Sequence, residues 1–147
     1  MMNMFVLQLS LGHFYYGNET WLIDSGATKH MTGYKESLSD LVMKESPHKV
    51  RFGDDNLCSI KGKGSTSYNL ILVKCLKMED VLCVPGLKRN LLSISGLEEK
   101  GFRVAFIDGE VLIWPKGKTI EDVEVIGIHE DGLYKLIGQL KPLCIEL

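Results

Sequence analysis

The chain has 147 residues and a mass of 16.5 kDa, enough for one domain with short extensions and a core that needs no covalent staples. Apolar residues make up 45% and charged residues 24%, a balance that excludes a disordered tail, a coiled coil and a collagen-like chain. With 17 basic and 19 acidic side chains the net charge is −2. The basic excess of a nucleic-acid binder is missing, so no nucleic-acid partner is expected. Residues 1–20 read as an N-terminal extension. Their apolar block from Phe5 to Leu11 is too short for a membrane span and lacks the basic flank of a signal peptide, so no membrane partner is expected.

From residue 21 onward, short runs rich in Val, Ile, Leu, Phe and Tyr (21–23, 50–52, 70–73, 81–84, 123–126) alternate with turn signals. These include Gly26, Gly33, Gly53-Asp54-Asp55-Asn56, Gly62-Lys63-Gly64, Pro85-Gly86 and Asp131-Gly132. That spacing predicts an all-β barrel or sandwich. Asp108-Gly109 between two apolar runs predicts a tight hairpin. Residues 88–100 break the pattern: Leu91, Leu92, Ile94 and Leu97 fall near helical period, which predicts one short helix capped by Asn90 and ended by Gly101. Residues 138–147 read as a C-terminal extension. Cys58, Cys75, Cys83 and Cys144 contain no C-x-x-C pair. Reduced thiols, with no metal and no cofactor, are expected of an intracellular, cytoplasmic protein.

The most informative stretch is Trp21-Leu22-Ile23-Asp24-Ser25-Gly26-Ala27-Thr28-Lys29-His30-Met31. An apolar strand runs straight into a carboxylate, followed by a small hydroxyl residue and a glycine. A carboxylate at the end of a core strand should be desolvated, with a shifted pKa. Gly26 permits a tight backbone beside it.

This stretch resembles the active-site loop of retropepsins, and its fuller text is similar to the protease region of copia-type (TNT 1-94-like) retrotransposon Pol polyproteins. Two further segments follow in the same order. Val81-Leu82-Cys83-Val84-Pro85-Gly86-Leu87-Lys88-Arg89-Asn90-Leu91-Leu92-Ser93-Ile94 resembles the family's second signature, and Gly132-Leu133-Tyr134-Lys135-Leu136 resembles the opening of a pre-integrase segment. The resemblance covers about residues 21–137 and implies a small closed β-barrel of retropepsin type with one short helix in its C-terminal half.

The resemblance also implies a chemistry. Peptide hydrolysis without a metal or a nucleophilic side chain needs one carboxylate to activate water and one carboxylic acid to protonate the carbonyl oxygen. Two such groups sharing a site divide these roles because both cannot ionise comfortably. The chain has a single Asp-Ser-Gly, so the second carboxylate would come from another copy across a two-fold axis. Asp24, Ser25 and Gly26 would form the catalytic loop. Ala27, Phe52, Gly53 and Ile60 would face a polypeptide substrate, with residues 48–65 as a flap. An active element would process its own Gag-Pol polyprotein, in a virus-like particle.

Other constellations read as structural. Asp54-Asp55 reads as a solvated turn, His30 as a loop or packing residue, and Gly62-Lys63-Gly64 as a hairpin turn without the spacing of a phosphate loop. The zinc knuckle, integrase and reverse transcriptase of copia-type polyproteins are missing here, so the chain reads as a fragment or a decayed or derived element. The alternative function is therefore a catalytically silent, monomeric β-barrel that binds protein or peptide at most.

Overall fold

A computed structural model describes residues 3–5, 20–51, 55–69, 75–137 and 139–141. The strands are β1 (Asn3–Phe5), β2 (Trp21–Asp24), β3 (Met31–Thr32), β4 (Ser39–Met43), β5 (Lys49–Arg51), β6 (Leu57–Ser59) and β7 (Gly62–Asn69). They continue with β8 (Cys75–Cys83), β9 (Asn90–Ser93), β10 (Phe102–Ile107), β11 (Glu110–Pro115), β12 (Glu124–Glu130), β13 (Leu133–Leu136) and β14 (Gln139–Lys141). One helix, α1 (Ile94–Glu99), follows β9.

The main sheet runs β10-β11-β12-β13-β2-β9-β3-β8-β7-β14, with β4 also paired to β7. A smaller sheet has the order β1-β5-β6. The all-β class with one short helix is thus the observed one, but the expected closed barrel is not. Among the described residues, the ends of the path, β10 and β14, do not pair with each other.

The physical reason lies in the central strands. Trp21 and Ile23 of β2 enter one apolar cluster, with Leu92, Val111 and Ile126. Leu22 enters a second, with Met31, Val84 and Leu91. Both faces of β2 and β9 are buried, which makes them the middle of a layered core rather than the wall of a barrel with one wet side. It also explains why the 21–23 run is continuously apolar instead of alternating.

Asp108 (φ 51) and Gly109 (φ 78) form the tight turn between β10 and β11, as the dipeptide predicts. The helix is shorter than its periodicity suggested. Residues 90–93 are a fully buried strand, and the N-cap is Ser93, whose side chain accepts a hydrogen bond from Gly96 N–H. Gly101, at φ 89, ends the helix. Gly62-Lys63-Gly64 is not a turn but the start of β7. Both glycines serve a close approach by β4. A Cβ on Gly62 would lie 2.7 Å from Val42 O, and one on Gly64 2.8 Å from Ser39 O.

The flanking segments join the sheets: β1 pairs in parallel with β5 and β14 pairs with β7. The run at 70–73 lies outside the described residues. The expectation of reduced thiols holds for Cys58 and Cys83, which are in no disulfide. It fails for Cys75, which is disulfide-bonded. No helix among the described residues is long and apolar enough to cross a membrane.

Candidate active site

Strand β2 delivers Asp24 to the end of the core. The chain leaves β2 through residues 25–30 and returns as β3. Strand β9 runs between the two, parallel to β2 and antiparallel to β3. The register sets Asp24 opposite Ser93. A strand inserted between the two limbs of a loop leaves that loop little freedom, because its backbone groups must satisfy themselves or bond to β9.

Asp24 is only 4% exposed. Its Oδ1 accepts a hydrogen bond from Gly26 N–H at 2.8 Å. Its Oδ2 is buried with no hydrogen-bond partner among the described residues. Burial disfavours the charged carboxylate and outweighs the opposing bond from Gly26, so the pKa lies above the ordinary aspartate value. The desolvation anticipated for a carboxylate ending a core strand is therefore present. Ser25 and Thr28 are exposed and Gly26 is half-buried, so the loop turns its hydroxyls outward while Asp24 stays inside.

Behind the loop, buried polar groups form a connected set. Ser93 Oγ donates to Ala27 O at 2.6 Å and accepts from Gly96 N–H at 3.0 Å. Ser93 N–H donates to His30 Nδ1 at 2.9 Å. His30 is buried, and burial with the nearby Lys29 charge lowers its pKa to about 4. Asn90 ties the other end of β9, its side chain bonding to Thr32 Oγ1 and to Thr20 O. Sequence reading assigned no site role to Ser93, Asn90 or Thr32. Ser93 lies inside the 88–100 run, so the apparent helical period of Leu91 and Leu92 hid its place as the cap.

The remaining predicted residues scatter. Ala27 is 1% exposed and packs into the second apolar cluster. Ile60 is 3% exposed in the same cluster and also borders a groove of about 850 Å³. Phe52 and Gly53 lie outside the described residues. The groove runs along β4, β7 and β8. Lys29 of the Asp24 loop lines it with Val42, His48 and Asp80, but Asp24 does not. Within the expected flap, β5 and β6 pair antiparallel, and residues 52–54 between them lie outside the described residues. Asp55 is exposed, as expected, and ion-pairs with Arg51 at 3.2 Å, while Asp54 lies outside the described residues. Among the described residues no cluster of three or more His, Cys, Asp or Glu could hold a metal ion.

What this arrangement can offer is a buried carboxyl group with one oxygen unpaired among the described residues, on a loop held from behind. No solved structure matches the chain. The sequence matches the family described as "Pol polyprotein, beta-barrel domain" over residues 21–102, which spans the Asp24 loop, β9 and α1. It is also 35% identical over 137 residues to the "Retrovirus-related Pol polyprotein from transposon RE1" of Arabidopsis thaliana, an alignment that covers 88% of this chain and 9% of that polyprotein. With the Asp24 loop and the β9–α1 unit both inside the matched region, the chain belongs to the β-barrel domain family of retrotransposon Pol polyproteins.

Proposed function

We propose that the chain is one half of a retropepsin-like aspartic endopeptidase, completed by a second copy. The observation that carries this reading is the state of Asp24: buried, raised in pKa, and with Oδ2 unpartnered among the described residues. A carboxyl group so placed is costly as a structural feature. Set beside a second copy of itself, it becomes useful. One carboxylate takes a proton from water as that water attacks the peptide carbonyl. The partner carboxylic acid gives its proton to the carbonyl oxygen, and the pair titrates as a unit.

The exposed Ser25 and half-buried Gly26 would meet their counterparts across the two-fold axis. An extended peptide would bind by strand addition, alternate side chains entering pockets. The groove bordered by Lys29 and Ile60 is the surface offered for the chain leading away from the scissile bond. The natural substrate would be the Gag-Pol polyprotein.

The test is hydrolysis of a library of peptides spanning a Pol polyprotein, by purified chain between about pH 4 and 7, a window around and above the ordinary carboxylate range. The expected result is cleavage that rises more steeply than linearly with protein concentration and disappears in Asp24→Asn. Absence of cleavage by the folded chain throughout the library would favour a silent β-sheet domain instead.

A further inference from the structure

His30 is among the most deliberately placed side chains outside Asp24 itself. It stands at the end of the 25–30 loop, immediately before β3, and is 6% exposed. Its Nδ1 receives the Ser93 amide at 2.9 Å. Since Nδ1 accepts, the imidazole is neutral and its proton resides on Nε2. The same Ser93 carries two other bonds: Oγ to Ala27 O at 2.6 Å, and Gly96 N–H to Oγ at 3.0 Å. Gly96 is shaped around the ring. A Cβ there would lie 2.8 Å from His30 Nε2 and 2.9 Å from its Cε1. The imidazole is thus clamped between β9 and the first turn of α1. One serine joins it to the backbone of Ala27, which in turn donates its N–H to Asp24 O at 3.4 Å.

We propose that His30 is a positioning residue: its unprotonated Nδ1 holds Ser93, and Ser93 holds the backbone that aims the Asp24 carboxyl group. The catalytic meaning of this brace rests on the reading of Asp24 as the hydrolytic group; the brace itself does not. A packing residue of similar size would fill the space but could not accept the Ser93 amide. Proton addition at Nδ1 would set donor against donor and break the same bond. The charged groups facing the ring are Lys29 on the loop, Asp80 on β8, and Glu99 and Lys100 at the end of α1. The lysines disfavour the imidazolium and the acids favour it, while burial is the largest influence and disfavours it. The ring therefore stays neutral through the mildly acidic range in which a carboxyl pair works, and the brace releases only near pH 4.

The test is an NMR titration of the full chain from pH 7 to 3, following the His30 ring nitrogens, the Ser93 amide and the Asp24 carboxyl carbon. The expected result is an unprotonated Nδ1 down to about pH 4. Below it, protection of the Ser93 amide from exchange should fall at least about tenfold while amides of β11 and β12 keep theirs. His30→Asn, whose amide oxygen reaches the Nδ1 position and does not titrate, should keep Ser93 protected through the acid step. His30→Phe should lose that protection at every pH and shift the Asp24 titration. If peptide cleavage is present, His30→Phe should lower kcat with little change in KM, and His30→Asn should restore it. A wild-type Ser93 amide that stays protected through His30 protonation overturns the proposal. So does a folded His30→Phe chain with the wild-type Asp24 titration. A brace that behaves as expected in a chain that cleaves nothing refutes the protease reading alone. Cleavage indifferent to His30→Phe refutes the brace alone.

Discussion

At the scale of single residues, Asp24 and His30 bias the fold in opposite directions of pH. Asp24 has its pKa raised by burial. The folded chain keeps a proton that the unfolded chain has already released, so this contribution is present below the unfolded value and lost as pH rises through the folded one. Asp24→Asn, neutral throughout, should therefore gain stability relative to wild type as pH is raised from about 4 to 7, read from denaturant midpoints at low protein concentration. A gap that stays constant with pH would contradict the burial argument. The same variant should lose peptide cleavage by about a thousandfold or more, within or above the range for removing a positioned acid or base. His30 runs the other way. Its pKa falls from 6.5 to about 4 on folding, so its contribution is complete above the unfolded value and is lost as pH falls toward the folded one. At about 1.4 kcal/mol per pH unit, the loss approaches about 3 kcal/mol. The Ser93 hydroxyl serves both the Ala27 carbonyl and the Gly96 amide in buried surroundings. Ser93→Ala should cost about 1–3 kcal/mol, the range for stranding buried partners and removing a cap. Wild-type stability in that variant would show that the two bonds are matched by others in its absence.

At the scale of elements, the parts that were legible in the sequence are those whose cause is local. The β10–β11 hairpin follows from Asp108-Gly109, because a two-residue turn with both φ angles positive sets the register of the strands on either side. Strand β2 and its terminal carboxylate follow from an apolar run broken by Asp24. Strand β9 was not legible, because Leu91, Leu92, Ile94 and Leu97 fit a helical period equally well. Pairing to β2 on one side and β3 on the other settles it, and those partners lie far away in sequence. The His30–Ser93 bond spans 63 positions, and no local pattern announces it. Gly62-Lys63-Gly64, unlike Asp108-Gly109, is a strand and not a turn for the same reason. Gly62 and Gly64 stand where β4 crosses β7 closely, which spacing alone does not distinguish from a turn. Gly127 in β12 is another close approach. A Cβ there would meet Ile23 Cδ1 at 2.5 Å and Lys135 O at 2.9 Å. Ile23 can move, but the carbonyl belongs to the paired strand β13 and cannot. Gly127→Ala should destabilise by about 1–3 kcal/mol, the usual cost of overpacking. It should also loosen β2 at its contact with β12, seen as faster amide exchange in residues 21–24. An unperturbed thermal midpoint would mean that β12 and β13 separate without cost.

At the scale of the whole molecule, two apolar clusters share the central strands β2 and β9, and the main sheet ends in two unjoined strands among the described residues. Such a chain buries Asp24 on a braced loop, and among the described residues no second carboxyl group hydrogen-bonds to it. If the second group comes from another copy, activity belongs to the pair, and a chain that folds but lacks its own carboxyl group must poison its partner. Asp24→Asn is suited to this because the substitution removes a charge and leaves the shape. Mixed in equal amount with a fixed quantity of wild-type chain, at concentrations where pairs predominate, it should form mixed pairs freely. Random pairing then leaves half of the wild-type chains in fully competent pairs, so the rate should fall to about one half. Excess variant should drive it toward zero, while an unfolded variant would leave it untouched and show itself by circular dichroism. A rate indifferent to a folded Asp24→Asn partner would mean that one chain suffices. The burial of Asp24 would then need an explanation within the monomer.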